Sequence, residues 1–409
     1  MALIVAKFGG TSVADIERIE RAADKIVKET SDGHRVVVVV SAMSGVTNTL
    51  VDYCSQISPL YDVREYDAVV SSGEQITSGL MAMALQKRGV TARSWLGWQV
   101  PIKTNNVHGK ARIEEIDTQE LHKRLDDGEV AVIPGFQGVT ELNRISTLGR
   151  GGSDTSAVAV AAALNADRCD IYTDVNGVYT ADPRIAPKAK KIVCIAYEEM
   201  LELASLGSKV LQTRSVEMGA KSGVPIQVLS SFGEEVGSAL QGTLVTTEDK
   251  IVEQEIVSGI AHSRDEAKIT VVSVRDAPGI AARLFSPLAA ASLNVDMIVQ
   301  NIAAEGRTDM TFTVPKNEVD LALKTIKEGV DLTYDNVVVD DNVAKISVVG
   351  IGMRSHAGVA NTMFTTLAEK NINIQVISTS EIKISVLIEA DYTELAVRSL
   401  HSAYGLDAE

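Results

Sequence analysis

Thr147-Leu148-Gly149-Arg150-Gly151-Gly152-Ser153-Asp154-Thr155-Ser156 joins three glycines, an arginine and a Ser-Asp-Thr-Ser cluster to an apolar, Ala-rich run over 157–164. The run reads as a buried helix, with Ser153 or Asp154 placed to cap it. Glycines let backbone approach a ligand closely, and the first N–H groups of a helix point outward with partial positive charge. Such a turn binds phosphate or carboxylate. Arg150 adds a planar cationic fork suited to a carboxylate. A glycine turn with a helix cap would look the same in isolation, so the surrounding sequence must decide.

Upstream, residues 3–6 form an apolar strand followed at once by Lys7-Phe8-Gly9-Gly10-Thr11-Ser12, where Ser12 is placed to cap a helix reaching about Lys28. Residues 36–40 are five valines ending in Ser41-Ala42-Met43-Ser44-Gly45-Val46-Thr47. Gly135 to Gly138 follows the apolar 130–133, and Thr173-Asp174 closes the strand 169–172. Unbroken Val/Ile/Leu strands alternating with helices indicate a parallel sheet covered on both faces, and ligands bind beyond the carboxyl ends of such strands. Four polar clusters occupy those ends. Ser72-Gly73-Glu74-Gln75 opens another helix, where Glu74 either complements the helix dipole or meets a cationic substrate group. Tyr179-Thr180-Ala181-Asp182-Pro183-Arg184 is a turn-rich loop offering an aromatic face, a carboxylate and a guanidinium, the groups that suit a purine and a ribose. Lys209 supplies a second lysine for phosphate. No Walker P-loop and no dinucleotide fingerprint occurs.

At 409 residues the chain requires two or three domains. A net charge of −15 without a basic block argues against nucleic acid and anionic membrane as partners. No apolar run reaches membrane-span length, and the N-terminus reads as a strand, so a cytoplasmic protein is expected. The three cysteines show neither zinc nor disulfide spacing.

After the charged stretch around 242–255 the chain repeats itself. Asp276-Ala277-Pro278-Gly279, Phe285, Leu288 and Asn294 correspond to His356-Ala357-Gly358-Val359, Phe364, Leu367 and Asn373, with one offset of 79 for the Gly, Phe, Leu and Asn pairs. Each copy reads as strand, helix, strand, strand. Neither holds a nucleophile–base pair or metal-ligand spacing, so both read as binding modules.

Taken in order, residues 7–12, 40–45, 72–74, 135–138, 148–154, 172–184 and 205–209 closely resemble the aspartokinase family of the amino-acid kinase fold, and the repeats resemble two ACT domains. The implied fold class is α/β: an amino-acid kinase domain (1–248), mainly a parallel sheet between helix layers, followed by two α+β ferredoxin-like ACT domains. These would span 265–340 and 341–409, with a strand from about 249–264 completing the second. The resemblance implies ATP-dependent phosphorylation of the β-carboxylate of L-aspartate, with Mg²⁺ arriving on the nucleotide and no protein-built metal site. Lys7 and Asp154 would be catalytic. Thr47, Glu74, Arg150 and Ser153 would bind aspartate. ATP would be bound by Lys7, Phe8, Gly9, Gly10, Ser41, Gly151, Gly152, Thr173, Asp174, Tyr179, Thr180, Ala181, Asp182, Pro183, Arg184 and Lys209. Lysine, threonine or both would inhibit at the repeats, through Asp276, Ala277, Pro278, Gly279, Asn294, Asp296 and Gln300 on one side. Val359, Ala360, Asn373, Ile374, Ser380 and Glu381 would serve on the other. A homo-oligomer pairing through ACT domains is expected. No methionine lies between Met218 and Met297, which argues against a separate regulatory subunit from an internal start. The rivals are a kinase of the same fold acting on glutamate, acetylglutamate, carbamate or UMP, and a non-catalytic amino-acid sensor.

Overall fold

The computed structural model describes all residues but 207–209, 234, 240, 252–254, 303–305, 330–331, 357 and 408–409. It forms two compact units. The first takes Met1–Val178, Lys191–Ala204 and the described part of 209–253. The second takes Tyr179–Lys190 and the described parts of 205–208 and 254–409.

The first unit is built on an eight-stranded sheet. From edge to edge its strands are Cys194–Ala196, Thr243–Thr246, Ile226–Ser230, Arg168–Thr173, Leu3–Phe8, Arg35–Val40, Val130–Pro134 and Ala92–Ser94. The six from Ile226–Ser230 onward run parallel, and Thr243–Thr246 lies antiparallel beside them. Every residue of Leu3–Phe8 is buried, as is each valine of 36–40, because helices cover both faces. Helix Ile16–Ser31 buries Ile19, Ala22, Ala23 and Ile26, one face at helical spacing. They pack with Ala6, Phe8, Val36, Val38 and Val40, and with Met81 and Leu85 of helix Ser72–Lys87. Asp15, not Ser12, caps Ile16–Ser31, accepting from Arg18 N at 2.8 Å. Ser12 instead donates its hydroxyl to Tyr172 O at 3.2 Å, within a short 3-10 turn, and so is committed to the neighbouring strand end. A second sheet, ordered Ile113–Ile116, Ile102–Thr104, Gln137–Thr140, Ile145–Thr147, delivers the chain to the glycine turn.

The second unit holds a six-stranded antiparallel sheet ordered Asp296–Ile302, Arg307–Val314, Gly259–Arg275, Asn336–Val349, Lys383–Glu389, Val376–Thr379. Two apolar cores form on it. One joins Ile269, Val271, Leu284, Leu288, Phe312 and Ile326; the other joins Ile346, Val348, Met363, Leu367, Val386 and Leu400. Each repeat ends in a helix not anticipated from its pattern, Val319–Gly329 and Thr393–Ala403. Gly259–Arg275 serves both repeats. Its start pairs with Lys345–Val349, and its later part with Arg307–Val314. The two edge strands Asp296–Ile302 and Val376–Thr379 meet each other, burying Met297, Val343, Val376 and Leu387.

Candidate active site

Register fixes the site. Phe8 lies opposite Val40 and Tyr172, Val40 opposite Pro134, and Thr173 opposite Ser230, so these strands end along one edge. The polar clusters therefore converge. Gly9 N donates to Tyr172 O at 3.1 Å, Ser41 N donates to Phe8 O at 3.1 Å, and Ser231 N donates to Thr173 O at 2.8 Å. Gly10 lies against Ala42 O, and Gly73 against Ala42 and Val46, which brings the segments of Gly10, Ser41, Thr47 and Glu74 together.

Strand alternation sends Ala6 and Phe8 to one face of the sheet and Lys7 to the other. Helix Gly152–Ala163 packs on that second face and carries Asp154 in its first turn. Lys7 Nζ and Asp154 Oδ1 meet at 2.5 Å, both nearly buried. The lysine also lies beside Gly9, so a side chain there would crowd its ammonium. Phe8 points the other way and stacks on Tyr172, with ring centroids 4.7 Å apart. Its side chain is core, leaving only its backbone near the strand ends.

The glycine turn departs from expectation at its cap. Gly151, with φ +73°, precedes the helix, and neither Ser153 nor Asp154 caps it. Both lie inside the first turn, and Asp154 is drawn to Lys7. A Cβ on Gly151 would run into the Gln212 side chain as well as strain the backbone. Gly135 is needed for a different reason. A Cβ there would lie 2.8 Å from Ser153 Cα, so the strand end presses directly on the helix start. Phe136 has φ +68° and donates its N–H to Ser156 Oγ at 3.0 Å. Arg150 is exposed at the apex of the turn.

Glu74 is buried, with 4% of its surface exposed, and its Oε2 has no hydrogen-bond partner among the described residues. Burial pushes its carboxyl up to about 7, against the opposing pull of the Ala42 and Glu74 backbone N–H groups. A desolvated carboxylate with an open oxygen is built to receive a cation.

Thr173 donates to Asp174 Oδ1 at 3.2 Å, at the end of its strand. Tyr179–Arg184 belongs to the second unit. There Thr180 O accepts from Ile260 N at 2.7 Å, and its hydroxyl bonds His401 Nε2 at 2.9 Å. Ala181 is buried with Ile346 and Val348. Asp182 and Arg184 pair with each other at 2.7 Å, which holds the Asp182 carboxyl below its ordinary range; Pro183 is exposed. Lys209 lies outside the described residues.

In the second unit, Gly279 and Gly358 precede helices Ile280–Ala290 and Val359–Glu369 at φ +90° and +103°. Asp276, Ala277, Pro278, Asn294, Gln300 and Asn373 are exposed; Ala360 and Ile374 are half-buried and Val359 is buried. Ser380 N donates to Lys383 O at 2.8 Å, and Glu381 lies 3.4 Å from Arg354. Asp296 already holds Lys345 at 2.9 Å, and Lys345 also meets Glu266 at 2.7 Å. An effector ammonium reaching Asp296 would therefore compete with a lysine, which no sequence pattern announced.

Residues 2–230 match the model of the amino acid kinase family, and 269–329 and 346–404 match that of the ACT domain. The aspartate kinase of Stutzerimonas stutzeri is 56% identical over 410 residues, covering 100% of this chain and 98% of that protein. The chain belongs to the aspartokinase family. The aspartokinase of Pseudomonas aeruginosa is 55% identical over 411 residues, with the same coverage of 100% and 98%. Among solved structures, the R-state complex of E. coli aspartokinase III with aspartate and ADP superposes with a TM-score of 0.82 at 28% identity, covering 98% of this chain and 99% of that one. The T-state complex of the same enzyme with lysine and aspartate gives 0.75 at 27% identity, with the same shares of 98% and 99%. Within the family frame, the chain keeps both a kinase half and paired ACT modules.

Proposed function

We propose that the chain transfers the γ-phosphoryl group of ATP to the β-carboxylate of L-aspartate, giving 4-phospho-L-aspartate and ADP, the first step toward lysine, threonine and methionine. The observation that carries this reading is the buried Lys7–Asp154 pair at the strand ends, beside a glycine turn and a desolvated glutamate. The nucleophile is a carboxylate, ionised at neutral pH, so no general base is needed. What remains is alignment and neutralisation of phosphoryl charge. Lys7 supplies that charge, and Asp154 fixes its position. Gly9, Gly10, Gly151 and Gly152 let the backbone pass close to phosphate oxygens, the chemistry ATP requires, with Mg²⁺ carried on the nucleotide; the N–H groups of Gly9 and Gly152 are themselves held by Tyr172 O and Gly149 O. Glu74 takes the ammonium of aspartate and Arg150 its α-carboxylate, with Thr47 and Ser153 nearby. ATP turnover with aspartate, glutamate and N-acetylglutamate, the acyl phosphate trapped by hydroxylamine, tests the assignment. Equal turnover of glutamate would overturn it.

The same reading makes the repeats the effector site for lysine, threonine or both, in a homo-oligomer that pairs through them. Backbone donors at Gly279 and Gly358 suit an effector carboxylate, and Asp276 and Glu381 suit its ammonium. Coupling energies of 1–3 kcal/mol are typical. Asp276→Ala or Glu381→Ala should therefore raise the inhibitory concentration about tenfold. Unchanged inhibition curves in both variants would refute this.

A further inference from the structure

We infer that Asp67 and His108 act as a positioning pair that sets the Gly149–Arg150–Gly151 turn and so controls how tightly the substrate's carboxylate is held. The inference rests on the reading of Arg150 as the clamp for that carboxylate.

Asp67, on helix Val63–Val70, is fully buried. Among the described residues, His108 Nδ1 lies 2.7 Å from its Oδ2. The two side chains share one hydrogen bond across this contact. Oδ1 accepts from Thr147 Oγ1 at 2.5 Å, and both oxygens accept from Gly109 N at 3.1 Å. Among the described residues, every group that bonds this buried carboxylate thus comes from a segment bordering the glycine turn. Thr147 opens the turn, and Gly149 packs against Gly109 O.

The rest of the underside is tied as firmly. Ala111 N donates to Thr147 O at 2.9 Å, and Leu148 N donates to Phe136 O at 2.9 Å. Arg214 donates to Leu148 O at 3.0 Å and to Ala111 O at 2.9 Å. The base of the turn is fixed while Arg150 at its apex stays exposed. A buried carboxylate is costly unless fully hydrogen-bonded. Here its partners converge on the strand end that aims Arg150, and the proposed catalytic pair does not touch it. Small displacements of a binding group lower affinity without altering the reacting atoms.

Asp67→Asn, His108→Ala and Thr147→Val should each raise the aspartate KM about tenfold, with kcat and the ATP KM within about twofold, the pattern that follows when binding common to ground state and transition state is lost. Thr147→Ser, which keeps the hydroxyl, should restore the wild-type KM. Cooperative thermal unfolding identifies folded variants, and Thr147→Val, the mildest change, remains informative if Asp67→Asn does not fold. Arg150→Ala is run alongside. If it raises the aspartate KM while folded Thr147→Val and His108→Ala do not, the positioning role is refuted and the clamp stands. If Arg150→Ala leaves the KM unchanged, the clamp is wrong and this inference falls with it. A fall in kcat equal to the rise in KM would also overturn it.

Discussion

Replacing Glu74 by glutamine should make the ligand-free protein more stable and a poorer enzyme. Burial raises this carboxyl from an ordinary 4.5 to about 7. Below pH 4.5 the group is protonated whether the chain is folded or not. Between 4.5 and 7 only the folded form keeps its proton, and above 7 both states are ionised. The cost of burying the charge is thus absent in acid, grows from pH 4.5, and is complete above pH 7. At 1.36 kcal/mol per pH unit it amounts to about 3 kcal/mol. Glu74→Gln removes that cost, so its denaturant midpoint should exceed wild type at pH 8.5 and converge on it near pH 5. The buried amide still needs partners, which makes about 3 kcal/mol a ceiling. The same substitution removes the negative charge that meets the substrate ammonium and puts an NH₂ donor in place of one oxygen, so the aspartate KM should rise steeply while the ATP KM stays put. Calorimetry adds a second reading. At pH 6.5 the wild-type carboxyl is mostly protonated, and aspartate binding should expel most of a proton into the buffer. Titrations in buffers of different ionisation enthalpy measure it. A Glu74→Gln stability gain equal at pH 5 and pH 8.5, or no proton release, would refute the reasoning.

Lys7→Met should cut kcat by roughly a hundredfold or more, the usual loss of about 3 kcal/mol when one preorganised donor is removed, while the fold persists; near-normal kcat in a folded variant would sink the assignment. Gly151→Ala should yield destabilised protein with a damaged turn, since its Cβ meets Gln212 and its φ is +73°; normal melting and normal aspartate KM would count against the glycine argument. Lys345→Met strands the buried Glu266 and should destabilise the second unit by about 3 kcal/mol near neutral pH, while the more exposed Asp296 keeps contact with water. Chemical denaturation at neutral pH measures the loss, and an unchanged midpoint would refute it.

The kinase half was legible because burial on both sheet faces demands unbroken apolar strands, and the polar residues after them have little else to do in such a fold. The repeat was legible because Gly, Phe, Leu and Asn recur at fixed offset. Caps were misread where a polar side chain had a stronger remote partner, as Asp154 has in Lys7 and Ser12 in Tyr172. The four-stranded sheet escaped because strands of three or four half-polar residues leave no periodic trace. Asp67, His108 and Arg214 could not be found at all. Their partners lie 41 to 103 residues away, and nothing local marks them.

The strand Gly259–Arg275 has a consequence for how the chain is made. Its opening residues emerge from the ribosome long before Lys345–Val349, the segment they pair with. The intervening repeat can close its own core first, because Ile269, Phe312 and Ile326 are all synthesised by then. Its folding draws the two distant partners together and shortens the loop that must be closed. Until then Gly259–Ser263 presents an unsatisfied strand edge. Slow translation across 336–349 would prolong that exposure, and a nascent chain arrested there should be the species most prone to mispairing with its neighbours on a polysome.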